Sequence, residues 1–452
     1  MGYSNSIVDT LGNTPMIQLR ELSKKLGCTV LLKNEAANPS LSIKDRVANY
    51  MLTKAEEDNK IAKGGTIIEA TSGNAGISLA MVAAAKGYQM ISVLSEKQSR
   101  EKKEILKALG SEVIICPSDL HPNDARSAYA VASRLHDRTP NSWFVSQHNN
   151  SCNTQAHYEN TGPEIWKQTN GKVAHLIATV NTGGTIGGVS KYLKEQNKAI
   201  KSWGVDAYGS ILKKYYDTGL IDHNEVYPYE TEGVGVHFIP ENFDTSLIDG
   251  MQKITDRDAA ILTKDLAKQE GLLLGNSAGA VIKAALNLKQ EFKEEDTIVL
   301  IANDHGTRYL SKVYNDSWIQ QKGFIEQPAK MAIDLIKNPD MDVITVKTSE
   351  LVSHAVGRMR KYKISQIPVV DKQGFVGSID EMALFSAYLD DHRKSDTPIS
   401  EVMNKAFPMV QEFTPIEEVL DLIRKGNSAI LVALENEKHG IITKSDVLSH
   451  IQ

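Results

Sequence analysis

Cysteine is scarce in the sequence, which contains three cysteines among 452 residues, Cys28, Cys116 and Cys152. They stand far apart and form no CxxC pair, which argues against a disulfide framework and against a cysteine-rich zinc site. We therefore interpret them as free thiols of a protein in the reducing cytoplasm, and we expect no metal.

Long apolar runs and a strong charge of one sign are also lacking. No run approaches the roughly 20 residues that span a bilayer, and the start of the chain lacks the basic and apolar segments of a secretory signal. The 51 Lys and Arg nearly balance the 56 Asp and Glu, for a formal net charge of −5. This balance argues against a nucleic-acid scaffold or a polybasic membrane protein.

The length of 452 residues predicts two to three domains. The first 320 or so residues alternate short apolar runs with helical patterns. The runs TIIEAT, QMISVL, SEVIIC, VAHLIATV and DTIVLIAND predict buried strands, and AAILTKDLAKQEG and LNLKQEF predict amphipathic helices. This alternation predicts an α/β fold with parallel sheet covered on both faces. Ligands bind where such strands end, and three glycine- and hydroxyl-rich loops, TSGNAG, NTGGTIGG and GNSAG, occupy such places.

The chain changes character near residue 325. A helix-like stretch, QPAKMAIDLIKN, leads into two similar units that each contain a β-like start, a helix, a strand, a glycine turn and a closing strand and helix. Three identities suggest an offset of 66 residues: Thr348 with Thr414, Gly374 with Gly440, and Asp380 with Asp446. We therefore predict an internal duplication whose copies bury their apolar faces together.

One lysine and one glycine loop suggest covalent and phosphate chemistry. Lys44 precedes a helical pattern, where a merely structural lysine would be unfavourably placed against the helix dipole. Taken alone, a surface lysine remains the commoner explanation. The run Thr182-Gly183-Gly184-Thr185 lies between a strand and a helix, so that its N–H groups could close on a phosphate. It matches neither the dinucleotide pattern nor a P-loop, and a turn without a ligand remains an alternative.

Two further loops precede helices, and the first of them lies between a strand and a helix. The run Thr71–Gly76 offers hydroxyls and N–H groups that suit a carboxylate, although ordinary helix capping would explain one such residue. The run Gly275–Gly279 carries Ser277, which can make one hydrogen bond in a tight loop or belong to a structural turn.

Together these motifs resemble the β-family, or fold type II, of pyridoxal-phosphate enzymes, in its cysteine synthase and cystathionine β-synthase branch. The matching runs are LGNTPMIQL, NPSLSIKDR, EATSGNAGISLA, AHYENTGPEIW, NTGGTIGG and GLLLGNSAGA, over about residues 5–320. The duplicated tail resembles a pair of CBS domains. The resemblance implies a tryptophan synthase β-like domain of two α/β subdomains over 1–322, and CBS domains over 328–392 and 393–452.

The resemblance also implies roles for individual residues. Lys44 would carry pyridoxal 5′-phosphate covalently and act as general base and acid. Asn74 would bind the cofactor 3′-oxygen, and Ser277 would face the pyridine nitrogen, leaving the ring largely neutral. The phosphate would lie against Thr182, Gly183, Gly184 and Thr185, and the substrate carboxylate against Thr71, Ser72 and Gln147. In the tail, Thr443 and Asp446 fit the T-x-x-D pattern for a ribose and phosphate, whereas the first unit, at Gly377–Asp380, lacks the threonine.

The implied reaction is a β-replacement, for which three alternatives stay open. Serine and homocysteine would give cystathionine, O-acetylserine and sulfide would give cysteine, and a catalytically inactive fold would act only as an adenosine-ligand sensor. The tail would bind S-adenosylmethionine or an adenine nucleotide, or would only pack and dimerise. We expect at least a homodimer, and no haem, because no Cys/His-bearing extension precedes the catalytic block.

Five residues depart from the pattern of the family. Leu41 stands where a small residue is common, Ala75 replaces a hydroxyl of the TSGN loop, and Asn181 replaces a glycine of the phosphate loop. Val236-His237 stands where Tyr-Asp is common, which leaves open both the homocysteine chemistry and whether His237 is a pocket residue or a plain loop histidine.

Overall fold

The strands predicted from the sequence are present in the computed structural model. The structure describes residues 3–118, 120, 124–325, 330–337, 341–390, 394–434 and 438–449. The chain divides into two compact units, Met1–Ile325 and Glu326–Gln452. The predicted domain limits at residues 328, 392 and 393 lie outside the described residues, and the two CBS-domain ranges stay predictions.

Ten strands of the first unit form two sheets. They are β1 (Met16–Gln18), β2 (Thr29–Asn34), β3 (Thr66–Thr71), β4 (Gln89–Ser95), β5 (Glu112–Cys116), β6 (Ser142–Phe144), β7 (Val173–Thr179), β8 (Lys201–Ala207), β9 (Gly250–Ile254) and β10 (Thr297–Ala302). The larger sheet has the order β1-β2-β10-β7-β8-β9, in which only β1 is antiparallel to its neighbour. The smaller sheet, β5-β4-β3-β6, is parallel throughout.

Helices connect these strands and cover the sheets. They are α1 (Arg20–Leu26), α2 (Lys44–Glu57), α3 (Asn74–Lys86), α4 (Arg100–Ala108), α5 (Ala128–Arg138), α6 (Cys152–Ala156), α7 (Gly162–Gln168), α8 (Gly184–Gln196), α9 (Leu212–Thr218), α10 (Asp256–Glu270), α11 (Asn276–Asn287) and α12 (Asp316–Gln321). A π-helical turn, His157–Thr161, joins α6 to α7. The helix predicted over LNLKQEF is confirmed for its first two residues alone, because α11 ends at Asn287 and a 3-10 turn, Lys289–Glu291, follows.

The central strand β10 shows why its apolar run is nearly continuous. Its side chains alternate between two cores: Ile298 and Leu300 pack in the cluster that contains α11, whereas Val299 and Ile301 pack in the cluster that contains α8. A parallel strand covered on both faces has no solvent-facing side, so the sequence shows no alternation. The strand therefore ends in the interior of the unit, where ligands of such sheets bind.

The second unit contains two copies of one β-α-β-β-α arrangement. The first copy has β11 (Val346–Lys347), α13 (Val352–Tyr362), β12 (Gln366–Asp371), β13 (Gly374–Asp380) and α14 (Glu381–Asp390). The second has β14 (Met409–Gln411), α15 (Ile416–Arg424), β15 (Ala429–Ala433), β16 (His439–Thr443) and α16 (Lys444–Ser449). Each three-stranded sheet has one parallel and one antiparallel pair, which confirms the predicted duplication. The helix predicted over 327–338 is a 3-10 turn, Ala332–Leu335, in its described part.

The pairing of the strands corrects the offset between the copies. Val369 pairs with Gly377 in the first hairpin, and Val432 pairs with Gly440 in the second. These pairs are 63 residues apart, so the predicted offset of 66 is wrong by three residues. The prediction matched Gly374, the first residue of β13, with Gly440, the second residue of β16.

The corrected offset changes what the first copy offers to a ligand. Asp380, the last residue of β13, corresponds to Thr443, and Ala383 corresponds to Asp446. At the start of the next helix, Asp380 accepts a hydrogen bond from the N–H of Ala383 at 2.8 Å. The first copy therefore lacks both residues of the T-x-x-D pattern, rather than the threonine alone.

Candidate active site

Lys44 lies in a cleft of the first unit and begins α2. Its backbone N–H donates to the Ser42 hydroxyl at 3.3 Å. Burial lowers the pKa of the Lys44 amine to about 8, and the charge of the nearby Glu69 opposes part of that shift. An amine with this pKa is largely neutral slightly above pH 8, which is the form that attacks an aldehyde.

Most of the predicted site residues share this cleft. Its wall contains Ile43, Lys44, Ser72, Asn74, Gln147, Thr179, Asn181, Thr182, Gly183, Thr185, Glu232, Gly233, Ser277, Asn303 and Asp304. Two predicted residues, Thr71 and Gly184, are not part of the wall. The Thr71 hydroxyl accepts hydrogen bonds from the N–H groups of Gly73 and Gly76, both at 3.0 Å. Thr71 therefore stabilises the loop without lining the cleft.

The start of α8 forms a cradle that only glycine can form. Gly183 has a φ of +84°, and a Cβ there would lie 2.6 Å from the Cα of Phe243. A Cβ on Gly184 would lie 2.1 Å from the Oδ1 of Asn153. The first N–H groups of a helix have no partner within it and carry partial positive charge. The cradle therefore fits a phosphate group.

Two threonines of the cradle are held by buried neighbours. The Thr182 hydroxyl accepts from the Nδ2 of Asn153 at 3.1 Å and from the N–H of Gly184 at 3.3 Å. The Thr185 hydroxyl lies 3.2 Å from the Nε2 of His157, whose pKa burial holds well below its usual value. In the tautomer whose Nε2 carries the proton, His157 would donate to Thr185, and the threonine hydroxyl hydrogen would be left for a phosphate.

Ser277, the second residue of α11, tests whether the cleft fits a heteroaromatic ring. Its side chain is 4% exposed and lines the cleft, yet among the described residues its hydroxyl has no hydrogen-bond partner. A buried hydroxyl without a partner is costly. A ring nitrogen placed opposite Ser277 would satisfy it, so the residues present fit pyridoxal phosphate.

Asn74, the first residue of α3, has an amide whose orientation is fixed. Its Nδ2 donates to Asp304 at 2.7 Å, and its Oδ1 accepts from Arg308. The Tyr309 hydroxyl also donates to Asp304, at 2.6 Å. One N–H of the Asn74 amide is left to meet a ring oxygen.

Three acidic residues of the site were missed from the sequence. Asp304 follows β10, and Glu69 lies within β3 and is 1% exposed. Glu232 lines the cleft and is paired with Lys102 at 2.7 Å and Lys312 at 2.6 Å. A signal existed for Asp304, because it follows a predicted strand at the edge where the glycine loops lie. Glu232 depends on partners 130 and 80 residues away, which no local pattern indicates.

The departures from the family pattern are placed at and around the cleft. Asn181 lines the cleft, and its Nδ2 donates to the carbonyl of Gly235 at 2.7 Å. His237 does not line the cleft and contacts the ring of Tyr229 edge-on, with centroids 5.9 Å apart. Leu41 has a φ of +63° and is 38% exposed.

A second cavity lies in the second unit and has a volume of about 620 Å³. Thr443 and Asp446, both predicted for a regulatory ligand, line it, as do Gly440 and Pro368. The Thr443 hydroxyl donates to Asp446 at 2.6 Å, and Lys337 forms an ion pair with Asp446 at 3.0 Å. Residues of both copies therefore contribute to one cavity.

Family models match both units. The model described as pyridoxal-phosphate dependent enzyme matches residues 7–304, and the CBS domain model matches 333–390 and 399–452. Together with the cradle and the lysine, this defines a pyridoxal-phosphate-dependent enzyme of fold type II with a C-terminal CBS pair. Among the described residues, none of the helices has the length and apolar character needed to cross a membrane.

Curated relatives specify the family further. Cystathionine beta-synthase of Dictyostelium discoideum is 33% identical, with 99% of this chain and 92% of the relative covered. Cystathionine beta-synthase of Saccharomyces cerevisiae is 31% identical, with 99% and 98% covered. Among solved structures, an O-acetylserine dependent cystathionine beta-synthase from Helicobacter pylori is 36% identical, with 70% of this chain and 100% of that chain covered at a TM-score of 0.64. The chain belongs to the cystathionine beta-synthase family.

Proposed function

We propose that the protein replaces the β-hydroxyl of L-serine with the thiol of L-homocysteine, which gives L-cystathionine and water. The observation that carries the proposal is the similarity to cystathionine beta-synthases across both units. A cysteine synthase of Dictyostelium discoideum, by contrast, covers 72% of this chain at 36% identity. The curated cystathionine beta-synthases of Dictyostelium discoideum and Saccharomyces cerevisiae, by comparison, each cover 99% of this chain, tail included.

The roles of the cleft residues in this reaction are part of the proposal. Bound pyridoxal phosphate makes the Cα–H of an attached amino acid acidic and promotes loss of its β-substituent. Lys44 would hold the cofactor, and its amine, released by the substrate, would take the Cα proton and later return it. Ser277 offers a hydroxyl instead of a carboxylate to the ring nitrogen, so it does not fix a proton there. Ser72 and Gln147 would hold the substrate carboxylate.

The charged wall of the cleft supports an amino-acid thiol as the second substrate. Glu232 lines the cleft and is 7% exposed, while its partners Lys102 and Lys312 are not part of the wall. The Glu232 carboxylate would suit the ammonium group of an amino-acid thiol. Hydrogen sulfide has no ammonium group and would gain nothing from this carboxylate.

The names of two similar solved structures favour a second candidate function. The structure from Helicobacter pylori is named as dependent on O-acetylserine, and a structure from Fusobacterium nucleatum at 34% identity and a TM-score of 0.63 is named as hydrogen sulfide-producing. O-acetylserine with sulfide would give cysteine and acetate on the same residues. Hydrogen sulfide production would also be open to this cleft.

A matched set of steady-state assays tests the choice. The holoenzyme receives serine or O-acetylserine as first substrate, and homocysteine or sulfide as second. We expect the highest kcat/KM for serine with homocysteine, and no turnover in Lys44→Ala. A preference for O-acetylserine with sulfide would overturn the proposal, and turnover in Lys44→Ala would overturn the role of the lysine.

We also propose that the tail regulates the enzyme by binding an adenosine-type ligand, S-adenosylmethionine or an adenine nucleotide. Asp446 can accept from both ribose hydroxyls, and Thr443 can meet a phosphate. The cavity of about 620 Å³ lies at this pair, whereas the first copy has Asp380 and Ala383 at the equivalent positions. Calorimetric titration with either ligand should therefore show one site per chain. Two equal sites would contradict this assignment.

A cytoplasmic, homodimeric enzyme completes the proposal. Cys28, Cys116 and Cys152 are all free, which suits a reducing compartment. Sedimentation of the holoenzyme should give at least twice the chain mass of 49.8 kDa. A monomer at micromolar concentration would contradict the dimer.

A further inference from the structure

Glu69 is a buried carboxylate beside the cleft to which the proposed reaction gives no role. It lies on β3, two residues before Thr71, and is 1% exposed. One of its oxygens accepts from the N–H of Ser146 at 2.8 Å, and the other accepts from the N–H of Gln147 at 3.2 Å. A carboxylate is rarely buried so completely unless its oxygens are satisfied, and here both oxygens hold the backbone of one turn.

The turn that Glu69 holds is strained. Ser146 has a φ of +50°, in the left-handed region that a residue with a Cβ seldom adopts. The two N–H groups that bind Glu69 flank the Cα of Ser146, so the carboxylate restrains the backbone on both sides of that atom. Strained conformations persist only where the surroundings enforce them, and they concentrate at functional sites.

The turn sets the direction of Gln147, which lines the cleft and is 3% exposed. The carbonyl of Gln147 accepts from the Nδ2 of Asn153 at 2.9 Å and from the Nδ2 of Asn242 at 3.0 Å. Its backbone is therefore fixed on both peptide planes, by Glu69 on one side and by two amides on the other. Burial raises the pKa of Glu69, and the hydrogen bonds from the backbone of Ser146 and from the backbone and side chain of Gln147, together with the charge of Lys44, oppose this rise.

We propose that Glu69 is a positioning residue that aims Gln147 at the carboxylate of the amino-acid substrate. The inference rests on the proposed function in one respect, the binding of that carboxylate by Gln147. Glu69 does not touch the substrate and acts through the turn at Ser146. It joins β3, which leads into the Ser72 loop, to the Gln147 turn, so both parts of the carboxylate site are held in one arrangement.

The variant Glu69→Gln tests this arrangement. An amide keeps one acceptor oxygen but turns an NH₂ group towards the second N–H, so one of the two hydrogen bonds is lost. L-serine and ethanolamine, which lacks the carboxylate, are titrated into the holoenzyme, and the change in cofactor absorbance is followed. We expect the dissociation constant of L-serine to rise roughly tenfold and that of ethanolamine to stay unchanged.

A matched control separates positioning from general loss of a buried carboxylate. Asp206 is fully buried and accepts from the N–H groups of Ala207 and Lys213, each at 2.9 Å, outside the cleft. Asp206→Asn should lower thermal stability and leave both dissociation constants unchanged. If Asp206→Asn weakens serine binding as much as Glu69→Gln does, the proposal is wrong.

A double-mutant cycle shows whether Glu69 acts through Gln147. Gln147→Ala alone should weaken serine binding, and adding Glu69→Gln to it should cause no further loss, because the side chain to be aimed is gone. Additive losses, or equal losses for serine and ethanolamine, would overturn the proposal. If Glu69→Gln does not fold, the double variant Glu69→Gln/Ser146→Gly is titrated, since glycine adopts the left-handed φ without strain.

Failure of the Glu69 proposal can be distinguished from failure of the proposed function. If the wild-type spectrum responds to O-acetylserine and not to serine, the proposed first substrate is wrong. The same cycle is then run with O-acetylserine, whose carboxylate is identical. The role of Glu69 is overturned if its substitution leaves the binding of the responding amino acid unchanged or weakens ethanolamine binding equally, or if the Asp206→Asn control or the double-mutant cycle gives the contrary result stated above.

Discussion

Two glycines of α8 allow the cradle to be tested by a pair of matched substitutions. A Cβ on Gly184 would lie 2.1 Å from the Oδ1 of Asn153, a side chain that is fully buried. Asn153 binds the carbonyl of Gln147 and the hydroxyl of Thr182. A Cβ on Gly187, one turn further on, would meet nothing closer than 3.6 Å.

The expected effects have opposite signs. Gly184→Ala must displace Asn153, which costs two hydrogen bonds of about 1 kcal/mol each and about 1–3 kcal/mol of overpacking. We expect a loss of about 3–5 kcal/mol and a fall in Tm of roughly 5–8 °C, since a unit of this size shifts by somewhat under 2 °C per kcal/mol. Gly187→Ala should instead stabilise the helix interior by about 0.5–1 kcal/mol.

Calorimetry of both variants, with cofactor content measured by absorbance, checks the reasoning. Gly184→Ala should also retain less pyridoxal phosphate, because the displaced Asn153 holds Thr182 in the cradle. Equal Tm values for Gly184→Ala and wild type would refute the close contact. Equal losses in the two alanine variants would show that any side chain in α8 is harmful, whatever its neighbours.

Three further predictions concern other parts of the molecule. The rate at which cofactor-free protein takes up pyridoxal phosphate covalently should rise with pH through about 8 and then level, because the neutral Lys44 amine reacts and burial lowers its pKa; a rise that continues towards pH 10 would contradict the burial of this amine. Leu41→Gly should raise stability by about 0.5–1 kcal/mol in calorimetry, because Leu41 has a φ of +63° and glycine has no Cβ to strain there; a fall in Tm would show that the leucine side chain packs favourably. Asp446→Ala should weaken adenosine-ligand binding in calorimetric titration at least tenfold, whereas Asp380→Ala in the first copy should have little effect; equal losses would mean that both copies bind.

The strands and the glycine loops could be predicted because their signals are local. The run VAHLIATV predicts the buried strand observed as β7, and DTIVLIAND predicts β10. Asn74 follows β3 of the smaller sheet, Gly183 follows β7 of the larger sheet, and Ser277 follows a loop after α10, yet all three line one cleft. The loops themselves are predicted from local pattern, whereas their assembly at one cleft is implied by the resemblance to the family.

The roles of two acidic residues could not be predicted in this way. Glu232 is held by Lys102 and Lys312, so its role depends on contacts between distant segments. Asp304 follows a predicted strand, but its partner Asn74 is 230 residues away in the sequence. Glu69 lies in a strand, and the local sequence does not indicate that its carboxylate accepts hydrogen bonds from the backbone of Ser146 and Gln147.

The offset between the CBS copies shows a different limit. Identical letters at 66 residues matched Gly374 with Gly440, although hairpin pairing makes Gly377 the equivalent of Gly440. Strand register is fixed by which side chains face the core, and short repeats share too few identities to reveal it. With an offset of 66, Asp380 is matched to Asp446, and the first copy would keep the aspartate of the T-x-x-D pattern. With the correct offset of 63, the first copy has neither the threonine nor the aspartate.

The central claim is that the amine of Lys44 carries the cofactor. Reduction of the holoenzyme with borohydride, digestion and mass spectrometry test it directly. The account predicts a phosphopyridoxyl group on the peptide that contains Lys44, and none in Lys44→Ala. A modified peptide from any other lysine, or none at all from protein that contains vitamin B6, would contradict it.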